Sequence, residues 1–173
     1  VGEKPLYEHM LDKVKAFSSF PAFIVTGDSK IAEDAAERGV VPVWNEEPEK
    51  GIARSLRLGL AAARKAFADE GREDDLRGIL FSVCDQPGLE ITTMQKIFNT
   101  AVLHPVSIIC AGRAGRTGNP VLWDRRYFAE LEKLTGDVGG RRVMNEHKDR
   151  IRIVETEAEE LIDVDRREDL ESL

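Results

Sequence analysis

The sequence predicts an α/β layer fold with a largely parallel sheet. Short β-rich apolar runs, such as Ala22-Phe23-Ile24-Val25-Thr26 and Gly78-Ile79-Leu80-Phe81-Ser82-Val83, alternate with amphipathic stretches of helical period. Strands and helices in alternation pack as βαβ units, which place the strands in parallel. One apolar run ends on Cys84-Asp85-Gln86-Pro87. An acidic residue is thereby set at the C-terminal tip of a buried strand, where open α/β sheets bind ligands.

Each element has a local cause. Pro5 to Phe17 reads as a helix with Leu6, Met10, Val14 and Phe17 on one face. The strand 22–26 ends at Gly27-Asp28, and Ser29 can cap a helix running to Arg38. Val40 to Trp44 is a short strand, and Ile52 to Phe67 a strong helix followed by a charged loop from Asp69 to Asp75. Thr92 to Leu103 reads as a helix, Val106 to Ala111 as a strand, and Asn119 to Trp123 as a strand begun by Pro120. Arg125 to Leu134 reads as a helix with Phe128, Leu131 and Leu134 inward, and Gly139 to His147 as another. Ile151-Arg152-Ile153-Val154 alternates like a strand with one exposed face. Glu155 to Glu160 is a solvated loop, Leu161 to Val164 a last short strand, and a terminal helix follows.

Composition narrows the class. The 173 residues suit one domain, with 42% hydrophobic residues to fill its core. A net charge of −7 argues against nucleic-acid binding through a basic surface, though a local basic patch can still hold a small nucleotide. Cys84 and Cys110 both sit in apolar runs and read as reduced core thiols. No run is long and apolar enough to span a membrane, no secretory signal is visible, and a cytoplasmic protein is expected. His9, His104 and His147 lack Ser, Cys or His partners in pattern and read as structural.

Several residues can carry chemistry. Asp85 can hold a hard cation against phosphate oxygens, or cap a loop. Gly51, Ser55 and Gly59 recur every four residues and stack on one helix face, leaving a groove for a ligand or for another backbone. Gly51 opens that helix, where free N–H groups favour anions.

In chain order, the motifs are Gly2-Glu3-Lys4-Pro5-Leu6, Asn45, Gly51 to Leu60, Cys84-Asp85-Gln86-Pro87, Gly118-Asn119-Pro120, Gly136-Asp137-Val138-Gly139 and Asp163 to Leu170. Together they resemble the MobA-like nucleotidyltransferases, nearest to the molybdenum cofactor cytidylyltransferase branch. The resemblance covers essentially the whole chain as a single domain. It implies a three-layer Rossmann-like nucleotidyltransferase fold of the GT-A type, with a mostly parallel sheet and one reversed strand. It implies CMP transfer from CTP to the phosphate of molybdopterin with release of pyrophosphate, and Mg²⁺ as cofactor. The product would pass to a molybdenum hydroxylase.

By the same resemblance Asp85 and Asp163 hold the metal, and Gly2 and Lys4 meet the phosphates. Asn45, Gly51, Ser55 and Gly59 take the nucleoside, while Asn119 and Arg141 face the acceptor. Asp165 reads as a helix cap or a ligand. Asp137 reads as the cap of the helix that follows it, with a metal role in reserve. The chain departs from the family in two places. Only the tail of the glycine-rich triphosphate loop appears before Lys4, without the family's first strand. Arg166-Arg167 stands where the family has Thr-Pro. These departures leave open a non-catalytic cofactor-binding or chaperone module, and because such a fold serves many acceptors, a nucleotidyltransferase acting on a sugar phosphate or another phosphorylated metabolite is a further alternative.

Overall fold

A computed structural model describes residues 4–17, 19–164 and 169. The expected terminal helix, Gly2, Asp165 and Arg166-Arg167 lie outside the described residues. The chain divides into two compact units, each made of segments distant in sequence: Val1–Phe17, Leu80–Leu122 and Arg150–Leu173 in the first, Ser18–Ile79 and Trp123–Asp149 in the second.

In the second unit, β1 (Phe23–Thr26) and β2 (Val41–Trp44) pair in parallel, with Phe23 opposite Val41 and Ile24 opposite Pro42. The crossover between them is helix α2 (Ser29–Glu37). Its N-cap is Asp28, one residue before the expected Ser29. The Asp28 carboxylate accepts from the N–H groups of Lys30 and Ile31, and an anion answers the helix N-terminus better than a hydroxyl does. Helix α3 (Ile52–Asp69) packs on β1 and buries Ala53, Leu56, Gly59, Leu60 and Ala63 at helical spacing.

In the first unit, helix α1 (Leu6–Lys15) buries Met10 and Leu11. Met10 meets Leu89 and Met94, and Val14 and Phe17 pack against the same cluster, so the expected face is used. Strand β3 (Gly78–Phe81) belongs to a four-stranded sheet of order β3-β5-β4-β6, with β4 at Ile108–Arg113, β5 at Arg116–Asp124 and β6 at Ile151–Glu155. Strands β4 and β6 are parallel, with Ile108 opposite Ile151. Ala114 (φ 50°) and Gly115 (φ 77°) form the two-residue turn that folds β5 back beside β4. That hairpin makes β5 the reversed strand. Helix α4 (Ile91–Leu103) covers this sheet, and Ile97, Ile109, Ala111, Leu122 and Val154 form one buried cluster.

Several elements depart from expectation, and β3 itself ends at Phe81, short of the expected Val83. Strand β4 starts at Ile108 because Val106 sits at φ 68°, which no strand residue adopts. Strand β5 starts at Arg116 because the tight turn delivers the chain directly into the ladder. The helix expected over 125–134 is a 3-10 turn, Arg125–Tyr127, followed by a single turn α5 (Phe128–Leu131). Phe128, Leu131 and Leu134 are nonetheless buried. The next helix, α6, spans only Arg141–Glu146. Leu161 to Val164 is not a strand. A 3-10 turn (Glu159–Leu161) precedes an extended segment that makes one backbone bond, from Val164 N–H to the Asp85 carbonyl at 2.8 Å.

The loop 155–160 is not wholly solvated either. Glu160 is 6% exposed, and its carboxylate accepts from the N–H groups of Glu90 at 3.0 Å and Glu157 at 3.3 Å. Ile109 lies at the centre of the buried cluster. Ile109→Ala is expected to lower unfolding free energy by about 2–5 kcal/mol, read from urea denaturation.

Candidate functional site

Two centres hold most of the residues singled out by the sequence, one in each unit. The first is the loop after β3. Asp85 and Gln86 meet the segment 162–164 through two bonds: Val164 N–H to the Asp85 carbonyl at 2.8 Å, and Gln86 Nε2 to Asp163 Oδ1 at 2.7 Å. Asp85 and Asp163, distant in sequence, are thus carried on adjoining segments. On the other side of the loop, Lys13 Nζ donates to the Pro87 carbonyl at 2.6 Å. Burial first, and then the charge of Lys4, hold the Lys13 ammonium below its ordinary 10.5. Lys4 itself is ion-paired with Asp12.

Cys84 precedes this loop, and burial, reinforced by the charge of Asp85, pushes its thiol up to about 11. Cys110 is likewise pushed up to about 11 by burial; it is buried in the core, whereas Cys84 is half-buried. Asn119 lies half-buried in β5, joined to Pro120 by a cis peptide.

The second centre is the start of α3. Asn45 is 3% exposed. Its Nδ2 donates to Ser55 Oγ at 3.2 Å, and its Oδ1 accepts from Arg54 Nε at 2.9 Å and from Glu47 N–H at 3.2 Å. The structure therefore brings Asn45 and Ser55 together. Both lone pairs of the Asn45 carbonyl oxygen are engaged by protein. Arg54 also pairs with Glu47 at 3.1 Å, and Lys50 does so at 2.6 Å. The Lys50 bond, with the charges of Lys50 and Arg54, holds the Glu47 carboxyl below its ordinary 4.5. Gly59 is buried on the face of α3 that packs.

The free N–H groups expected at Gly51 are already met. Asp137 Oδ1 accepts from Ile52 N–H at 3.4 Å, and the Gly136 carbonyl accepts from Ala53 N–H at 3.3 Å. Asp137 thus caps α3, 85 positions away, and not the helix that follows it. A carboxylate satisfies the positive end of α3, which is longer and carries the larger dipole than the six residues of α6. Gly51 itself has φ 87°, and a Cβ there would stand 2.5 Å from the Gly136 carbonyl. Arg141 is exposed on α6.

Three participants were not singled out by sequence: Lys13, Arg54 and Gln86. Lys13 had a signal, because a cation three residues after Met10 falls on the buried face of α1. Gln86 had none beyond its place beside Asp85. No group of three or more His, Cys, Asp or Glu is arranged to hold a metal among the described residues. Two carboxylates with oxygen donors alone fit a hard cation that completes its shell with water and phosphate, as Mg²⁺ does. No helix among the described residues is long and apolar enough to cross a membrane.

Comparisons accord with this geometry. The MobA-like NTP transferase domain profile matches residues 1–151. Among solved structures, Rv0371c of Mycobacterium tuberculosis H37Rv in complex with manganese is 22% identical, with a TM-score of 0.77 over 100% of this chain and 87% of that one. The 4-diphosphocytidyl-2C-methyl-D-erythritol synthase of Anaerococcus prevotii DSM 20548 is 17% identical, with a TM-score of 0.76 over 99% and 85%. Molybdopterin-guanine dinucleotide biosynthesis protein A of Archaeoglobus fulgidus is 16% identical, with a TM-score of 0.63 over 99% and 85%. These likenesses establish the Rossmann-like nucleotidyltransferase fold. No curated protein matches the chain.

Two outcomes follow. Gly51→Ala is expected to cost about 1–3 kcal/mol from its left-handed backbone alone, and more from the clash, measured by denaturant unfolding. The thiols of the native protein should resist iodoacetamide at pH 8 until denaturant is added. Their folded values of about 11 exceed the ordinary 9.0, so their contribution to stability is intact below pH 9 and declines as pH rises through 11.

Proposed function

The chain belongs to the MobA-like NTP transferase family, and from that premise we propose that it is a Mg²⁺-dependent cytidylyltransferase of the molybdenum cofactor acting in the cytoplasm as one domain. A phosphate oxygen of molybdopterin attacks the α-phosphorus of CTP. The bond from that phosphorus to the β-phosphate bridging oxygen breaks, and pyrophosphate leaves with its electron pair. No protein nucleophile is required. The protein positions two polyanions and offsets their charge.

The observation that carries this reading is that the loop after β3 holds Asp85 beside the segment carrying Asp163, through Val164 N–H to the Asp85 carbonyl and Gln86 Nε2 to Asp163 Oδ1. Asp85 and Asp163 would hold the cation, which when bound supplies positive charge against the phosphates. Lys4 contributes a mobile cation for the triphosphate, and Gly2 a close backbone approach. The Ser55 hydroxyl, held by Asn45, would meet the nucleoside beside the backbone of Gly51 and Gly59. Asn119 and Arg141 meet the anionic acceptor, and the product passes to a molybdenum hydroxylase. The manganese complex of the mycobacterial neighbour supports a divalent cation in this fold.

The test is calorimetric titration of CTP, GTP and ATP with and without Mg²⁺, followed by turnover with molybdopterin. Selective, Mg²⁺-dependent CTP binding supports the reading. Preference for another nucleotide moves the assignment to another branch, and no binding by folded protein rejects the enzyme. Asp85→Asn should lower turnover by about 10²-fold or more while the unfolding midpoint is kept. Near-normal turnover in that variant removes Asp85 from the metal site.

A further inference from the structure

Gln86 is 4% exposed, and its side-chain amide faces two ways. Its Nε2 donates to Asp163 Oδ1 at 2.7 Å. Its Oε1 is buried and has no hydrogen-bond partner among the described residues. Buried amide oxygens are rarely left so, because an unmet acceptor in the interior is costly.

The backbone around Gln86 allows little escape from this cost. The preceding carbonyl, of Asp85, accepts from Val164 N–H at 2.8 Å. The following carbonyl, of Pro87, accepts from Lys13 Nζ at 2.6 Å. The Gln86 carbonyl accepts from Leu89 N–H at 3.3 Å, closing the turn. Turning the amide over would bring Oε1 against the Asp163 carboxylate, two acceptors face to face. The Nε2 bond therefore sets the amide's orientation, and Oε1 is the acceptor left over.

We propose that Gln86 is a positioning residue for a divalent cation: its Nε2 fixes the Asp163 carboxylate, and its Oε1 accepts a hydrogen bond from a water of the hydrated ion. This rests on the reading of Asp85 and Asp163 as the metal-holding pair. The chemistry is matched on both sides. A carboxylate ligand needs a donor to fix its orientation. Water around a dication directs its hydrogens outward, toward an acceptor. An amide is the neutral side chain that supplies a donor and an acceptor at once. A glutamate here would add a third negative charge, and a leucine would supply neither bond.

The test is Mn²⁺ titration of the full chain followed by electron paramagnetic resonance, on wild type, Gln86→Met, Gln86→Ala and Asp85→Asn. Gln86→Met keeps the buried volume, so it reports on the amide even where Gln86→Ala fails to fold. Both Gln86 variants should bind Mn²⁺ about 10–100-fold more weakly, with Gln86→Met keeping a cooperative unfolding transition. Wild-type Mn²⁺ affinity in Gln86→Met overturns the proposal while leaving the metal pair standing. Absence of Mn²⁺ binding by wild type, or undiminished binding by Asp85→Asn, overturns the metal pair and the proposal together.

Discussion

Everything assigned to the first unit depends on one constraint: the segment 162–164 must lie against the loop that ends β3. A backbone bond, Val164 N–H to the Asp85 carbonyl, makes that join among the described residues, and Gln86 adds a side-chain bond to Asp163 across 77 positions of sequence. Were the join lost, Asp163 would have no fixed relation to Asp85. Glu160 strengthens it from a few residues upstream. Its buried carboxylate holds the N–H of Glu90 at the start of α4 and closes its own turn on Glu157. A carboxylate that looked like surface charge is therefore part of what carries Asp163 to its place.

The second unit solves a similar problem at the start of α3. A long helix leaves N–H groups exposed at its first turn. The loop at 136–137 reaches back to them, and glycine at 51 lets the two backbones close to a distance no side chain permits. Around that junction Asn45, Arg54, Glu47 and Lys50 form a small charged network that fixes Ser55 Oγ. The network is polar and largely self-satisfied.

The elements were legible because their causes are local. Helical periodicity placed α1, α3 and α4, and β-rich runs placed β1, β2 and β3, within a few residues. The motif order gave the family and the reversed strand. Failures came where the deciding contact was distant or conformational. Nothing near Asp137 reveals that it caps a helix 85 positions earlier. Nothing near Val106 reveals its left-handed backbone, which delays β4 by two residues. The segment 161–164 has the apolar content of a strand but forms no strand among the described residues, where Val164 N–H bonds the Asp85 carbonyl. Of the partners at the candidate site, Lys13 could be read from its place three residues after Met10, whereas Gln86, bonded to Asp163 across 77 positions, left no spacing signal.

Pro42 has a consequence for the protein's behaviour in a crowded solution. Val41 and Asn45 direct their N–H groups to the carbonyls of Ala22 and Thr26, so the intervening even-numbered positions of β2 turn their nitrogens the other way, to the outer edge. Trp44, half exposed at 51%, and Val41 make this a sticky strand. A stray chain seeking to add itself as another strand would find a pyrrolidine ring where it needs a donor. The ladder cannot be extended there, and an apolar strand that would otherwise invite polymerisation is kept from serving as a template.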